Sequence, residues 1–138
     1  MSVDVSTIKL WFERAVPTPT DDTRQVQLGV HFEEVDEMQT ALNVGALASV
    51  LAQMFKQKQL HHILQNIDRK ELLDALCDQI VTAVGVAHMF GFDINGALKE
   101  VNRSNWSKFD QHGQPLFTAE GKIAKGPDYT PPQLEKFL

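Results

Sequence analysis

Acidic side chains carry most of the chemistry in this sequence. Glu33, Glu34 and Glu37 fall within Glu33-Glu34-Val35-Asp36-Glu37, so on a helix Glu33 and Glu37 sit one turn apart on one face. Asp36 is expected to point elsewhere. Asp74 and Asp78 are also four apart, yet Ala75, Leu76, Cys77, Ile80 and Val81 surround them, in a stretch from Leu72 to Phe90 whose polar residues are Asp74, Asp78, Gln79, Thr82 and His88. Acids on so apolar a helix are expected to face the protein interior or a subunit interface. A buried carboxylate without a partner costs several kcal/mol, roughly, and therefore calls for protonation, a cationic partner or a metal ion. Carboxylates converging from two helices suit magnesium, a hard cation that takes oxygen ligands and keeps waters a phosphate can replace. For the first group alone the plainer reading is a solvated helix face. Asp74 and Asp78 weigh against it.

The elements that must position these acids are helical. Ile8 to Ala15 reads as a short helix capped by Ser6 or Thr7 and ended by Val16-Pro17-Thr18-Pro19-Thr20. A second helix is expected from about Thr23 to Asn43, on the recurrence of Leu28, Phe32, Val35 and Leu42, with Gly45 as terminator. Ala46 to Asn66 is again helical, with Leu47, Leu51, Met54 and Phe55 on one side and a break at Lys56-Gln57-Lys58-Gln59. Asp68 and Glu71 have capping-box spacing and open a helix from about Arg69 to Phe90, which Gly91 ends. Asp93 caps another, running through Ala97, Leu98 and Val101 towards Lys108. Beyond it Gly113, Pro115, Gly121, Gly126 and Pro127 describe an irregular tail with room for a small hairpin, and Thr130-Pro131-Pro132-Gln133 for a last helical turn. No strand-like alternation persists. The expected fold is an all-α helical bundle with an irregular C-terminal tail, a single domain over residues 1–138.

Composition narrows the function classes. The net charge of −5 and scattered basic residues speak against a nucleic-acid polymer as partner. The one cysteine, Cys77, excludes an intramolecular disulfide and reads as a small apolar residue. Met1 to Lys9 lack a leader pattern, and no apolar run approaches the roughly 20 residues that span a bilayer, so a cytoplasmic protein without membrane contact is expected. His61 and His62 are adjacent and point apart, while His31, His88 and His112 have no ligand spacing, so zinc is not expected. Helices this apolar in a short chain imply a homo-oligomer, a homodimer or homotetramer.

With these residues placed, the chain resembles the all-α nucleoside triphosphate pyrophosphohydrolases: MazG-like proteins, dimeric dUTPases and phosphoribosyl-ATP pyrophosphohydrolases. The family pattern is EExxE on one helix followed by ExxD on a later one. Glu33-Glu34-Val35-Asp36-Glu37 matches the first half. Taking Asp78 as the family aspartate puts Ala75 where the family has glutamate, with Asp74 one residue earlier as a second ligand or its support. The other register, Glu71-x-x-Asp74, leaves Asp78 without a role. Glu100-Val101-Asn102-Arg103-Ser104-Asn105-Trp106-Ser107-Lys108 is similar to the EVhRSNxSK segment (h, hydrophobic) of MazG-like proteins, often of phages and bacteria, and the tail with Lys122 and Lys125-Gly126-Pro127 is similar to the same subgroup.

The resemblance implies a magnesium-dependent enzyme, with manganese as a substitute, that hydrolyses a ribo- or deoxyribonucleoside triphosphate to the monophosphate and pyrophosphate. Its metal ligands would be Glu33, Glu34, Glu37, Asp78 and Asp74, with Glu33 or Glu34 as general base toward water. Asn102, Arg103, Asn105, Lys108 and Lys125 are the implied substrate contacts. Lysine suits phosphate as a point charge and asparagine suits a sugar hydroxyl or base edge, while Arg103 is equally suited to a structural ion pair and Trp106 to a core. The alternatives are a non-catalytic nucleotide- or metal-binding helical protein, motivated by Ala75, and a structural protein in which Leu72 to Phe90 is a dimer seam.

Overall fold

The computed structural model describes residues 4–41 and 48–138. Among these the regular structure is helical: α1 (Val5–Ala15), α2 (Asp21–Ala41), α3 (Ser49–Lys56), α4 (His61–Leu64), α5 (Arg69–Met89), α6 (Ile94–Trp106) and a 3-10 turn at Glu135–Phe137. No strand is present among the described residues beyond one isolated antiparallel bridge, Phe117 to Ile123, which marks the expected small hairpin. The chain is all-α. The expected second-helix end at Leu42, Asn43 and Gly45, and the next start at Ala46 and Leu47, lie outside the described residues.

Local chemistry sets the boundaries. Thr20 and Thr23 exchange hydrogen bonds, each backbone N–H donating to the other's hydroxyl at 2.8 and 3.2 Å, so α2 opens two residues earlier than its apolar periodicity suggests. Asp21 and Asp22 in its first turn favour the positive end of the helix dipole. Lys58 adopts φ +59°, which separates α3 from the short α4 at the expected break. Asp68 caps α5 by accepting the Glu71 N–H at 3.1 Å, and Asp93 caps α6 by accepting the Gly96 N–H at 3.0 Å. Gly91, at φ +74°, ends the helical path of α5. The last helical turn expected at Thr130 is displaced to Glu135–Phe137, because Thr130 is engaged by α6: Ser104 Oγ donates to its carbonyl at 2.8 Å and its N–H donates to Ser107 Oγ at 2.9 Å.

The chain divides into two compact units, one of Val16–Asn66 with Phe117–Ala124, the other of Met1–Ala15, Ile67–Leu116 and Lys125–Leu138. In the first, α2 packs on α3, with Phe32 and Phe55 stacked at 5.8 Å between ring centroids. The helices meet at Gly29, where an added Cβ would lie 2.8 Å from both the Ala52 carbonyl oxygen and the Lys56 nitrogen. Backbone cannot retreat as a flexible side chain can. Gly29→Ala is therefore expected to cost about 1–3 kcal/mol by overpacking, read as a lower midpoint of urea unfolding; an unchanged or raised midpoint would contradict the close crossing. Gln25 is almost wholly buried in this unit, and its amide oxygen accepts the Leu60 N–H at 3.1 Å.

In the second unit Trp11 and Phe109 are buried and stack at 5.7 Å, with Phe12 edge-on to Trp11 at 4.9 Å. The helix α5 differs from its companions: every residue from 69 to 84 is exposed. By length and composition alone, with mean hydropathy 1.3, it is also sufficient to cross a membrane. Asp74 and Asp78 interrupt the apolar run of α5, as expected of a chain with no unbroken apolar stretch of about 20 residues, but the surrounding leucines, valines and alanines hold the average high.

Candidate metal and phosphate site

Glu33 is the charge centre of the first unit. Lys56, at the last residue of α3, is buried, and its ammonium lies 2.5 Å from Glu33 Oε2. The turn that follows Phe117 is closed by Thr118 N–H donating to the Lys122 carbonyl at 2.8 Å, with Gly121 at φ +92°, and it brings Lys122 Nζ 2.5 Å from Glu33 Oε1. One carboxylate thus holds two ammonium groups, one on each oxygen. Burial pushes the Glu33 carboxyl up, but the hydrogen bonds and charges of Lys122 and Lys56 outweigh it and hold the group below its ordinary value. Glu33 is ionised at neutral pH.

The other acids of α2 divide by face. Glu34 and Glu37 are exposed. Asp36, expected to point elsewhere, is half-buried, and its Oδ1 is enclosed with no hydrogen-bond partner among the described residues. Gln25, Gly29, Phe32 and Asp36 recur at spacings of four, three and four, which explains the difference: they form the stripe that α2 turns inward, and Glu33 borders it.

Asp74 and Asp78 are exposed on α5, so within this chain they do not point into a core. The reason is α5 itself, whose residues 69 to 84 are all exposed in the chain. Within this chain neither acid faces an interior; both are exposed on the surface of α5. The donor set of carboxylate oxygens has the chemistry a magnesium ion requires. Among the described residues of one chain, however, no group of three or more His, Cys, Asp and Glu side chains is gathered to hold a metal.

The segment from Glu100 to Lys108 is largely structural in its visible contacts. Arg103 donates to Glu100 through Nε and Nη2 at 2.9 and 2.7 Å, and to the tail at Thr130 Oγ1 and the Pro131 carbonyl at 2.6 and 3.2 Å. Gln133 N–H donates to Glu100 at 3.1 Å. The ion pair expected for Arg103 is present. Asn102 and Asn105 are half-buried on α6, the Lys108 ammonium lies 5.8 Å from the Trp11 ring centroid, and that of Lys125 lies 5.0 Å from the Tyr129 ring centroid. Trp106 is exposed over part of its surface while Trp11 belongs to the core. The shallow groove of about 450 Å³ lined by Glu100, Arg103, Thr130, Pro131 and Gln133 is bordered by groups already committed to one another.

This clip titrates. Hydrogen bonds from Arg103 and from the Gln133 N–H hold the Glu100 carboxyl down at about 2. Its folded value lies below the unfolded one, so its contribution is complete above the ordinary value near 4.5 and is lost as pH falls towards 2. Tyr129 and tail amide signals in NMR spectra are expected to shift over that range, and Glu100→Gln is expected to remove the transition. A transition unchanged in the variant would assign it to other acids.

Comparison with known protein families, characterised proteins and solved structures gives no significant match to this chain.

Proposed function

We propose that the protein is a magnesium-dependent nucleotide pyrophosphohydrolase of the all-α, MazG-like kind, converting a ribo- or deoxyribonucleoside triphosphate to the monophosphate and pyrophosphate. The observation that carries this reading is the acid run of α2, where Glu33 draws two cationic groups from separate parts of its unit. A carboxylate in that setting favours positive charge at both oxygens. Glu33, Glu34 and Glu37, with Asp78 and Asp74 of α5, are the residues that would hold magnesium. When bound, the ion supplies neutralisation of triphosphate charge and a more acidic water. Lys56 and Lys122 can each keep further donors for phosphate oxygens while one is spent on Glu33. Glu34, exposed and bordering the same helix face, is the general base of this scheme. Asn105 and Lys108 are its nucleotide contacts on α6.

A ligand that binds the folded protein must stabilise it. Magnesium together with a non-hydrolysable triphosphate is expected to raise the unfolding temperature more than either alone, and absence of any shift would count against the reading. The double ion pair also favours a second reading, a non-catalytic nucleotide binder, because Glu33 is already neutralised by lysine. It predicts the same thermal shift with no turnover.

A further inference from the structure

We infer that the Phe117–Ala124 hairpin is a latch held shut by Lys122 on Glu33, which a phosphate-bearing anion opens by drawing the Lys122 ammonium off the carboxylate. The phosphate chemistry of the anion rests on the nucleotide reading above, while the latch rests on the contacts of the hairpin alone. Inside the hairpin, Thr118 N–H donates to the Lys122 carbonyl at 2.8 Å, Gly121 N–H donates to the Thr118 carbonyl at 2.9 Å, and one bridge pairs Phe117 with Ile123. None of residues 117–124 is buried. A two-stranded hairpin is at best marginally stable in water, so its place depends on what it docks against. Its directed attachments are polar: the Lys122 ammonium lies 2.5 Å from Glu33 Oε1 and the Lys58 ammonium 3.4 Å from the Glu120 carbonyl, with Gly121 passing beside the Val26 side chain.

The two lysines on Glu33 differ in how freely they can leave. The Lys56 side chain is 10 % exposed, and its stem crosses Gly29 where α2 and α3 meet, so helix packing fixes its ammonium at Oε2. The Lys122 side chain is 34 % exposed and rides on the hairpin. Lys122 is therefore the exchangeable partner. Its departure leaves Glu33 and Lys56 as a neutral pair, so no buried charge is stranded. Two ammonium groups against one carboxylate leave one positive charge in excess, and Lys58 adds a second beside the same hairpin, against the one carboxylate of Glu120. An anion is drawn to that excess, and a condensed phosphate offers Lys122 several charged oxygens in place of one. While the latch is shut both oxygens of Glu33 are engaged, and opening it frees Oε1. Arrival of the anion is thereby coupled to exposure of the carboxylate.

Hydrogen exchange of the full chain, read at the Thr118 and Gly121 amides, tests this. Millimolar inorganic tripolyphosphate is expected to speed their exchange about fivefold or more over sodium chloride of equal ionic strength, the scale of one partly screened ion pair. A non-hydrolysable nucleoside triphosphate in a parallel arm separates the sources: an effect of it alone assigns the latch to nucleotides, and an equal effect of both assigns it to phosphate as such. Lys122→Met is expected to exchange fast at the outset and not to respond. Lys122→Arg, which keeps the charge, and Lys99→Met, at an exposed position of α6, are expected to respond as the wild type does. Exchange unchanged or slowed by both anions, or a Lys122→Met variant as protected and as responsive as the wild type, would overturn the inference. A faster hairpin without turnover of any triphosphate would dismiss the pyrophosphohydrolase and keep the latch; turnover with an unmoved hairpin would do the reverse.

Discussion

Glu37→Gln and Asp78→Asn are each expected to lower triphosphate turnover by about 100-fold or more, since removing one charge that stabilises a phosphoryl transition state typically costs that much. Both side chains are exposed in the chain, so replacing carboxylate with amide changes little packing, and the fold is expected to survive. Circular dichroism and steady-state rates measured on one preparation separate the two effects. Near-wild-type rates in both variants at limiting magnesium would dismiss the proposed ligands. If Asp78→Asn is tolerated while Asp74→Asn is not, the site stands and the register shifts to Glu71-x-x-Asp74.

Glu33→Gln is expected to behave otherwise, losing stability as well as activity. The Lys56 side chain is 10 % exposed, so the substitution strands a nearly buried ammonium group, and breaking such a pair costs about 2–4 kcal/mol once its residual solvent screening is allowed for. Urea unfolding at neutral pH is expected to show the loss as a lower midpoint. The pH dependence has a definite sign: the Glu33 carboxyl is held below its ordinary 4.5, so its contribution is present above that value and fades as pH falls through the lowered one. The wild type should therefore lose more stability on acidification than Glu33→Gln does. Equal midpoints for the two proteins at neutral pH would mean that the two lysines contribute nothing through Glu33. A Glu33→Gln, Lys56→Met double variant is expected to recover part of the loss, because it removes the stranded charge.

The helices were legible because their ends carry explicit chemistry. Asp68 and Asp93 are acids placed three residues before an N–H that needs an acceptor, and both caps form. The inward face of α2 was not legible in the same way. Hydrophobic periodicity pointed to Leu28, Phe32 and Val35, whereas the stripe turned inward includes Gln25, Gly29 and Asp36, a polar amide, a residue without a side chain and an acid. Gln25 is buried because it satisfies the Leu60 N–H, a need that exists only after the chain has turned back. The partnership of Glu33 with Lys56 and Lys122 was hidden for a related reason. Sequence separations of 23 and 89 residues leave no local pattern, and only the α3 terminus and the Gly121 turn bring those lysines to one carboxylate. Arg103 carried a usable signal, since Glu100 lies three residues before it on the same helix and such spacing favours an ion pair.

Product analysis by phosphorus NMR, with purified protein, magnesium and a panel of ribo- and deoxyribonucleoside triphosphates, decides whether the protein is a pyrophosphohydrolase. At least one triphosphate is expected to yield nucleoside monophosphate and pyrophosphate in equal amounts, with no diphosphate intermediate, and chelation of magnesium is expected to stop the reaction. Release of orthophosphate with nucleoside diphosphate, or no turnover of any triphosphate in magnesium or manganese, would contradict it.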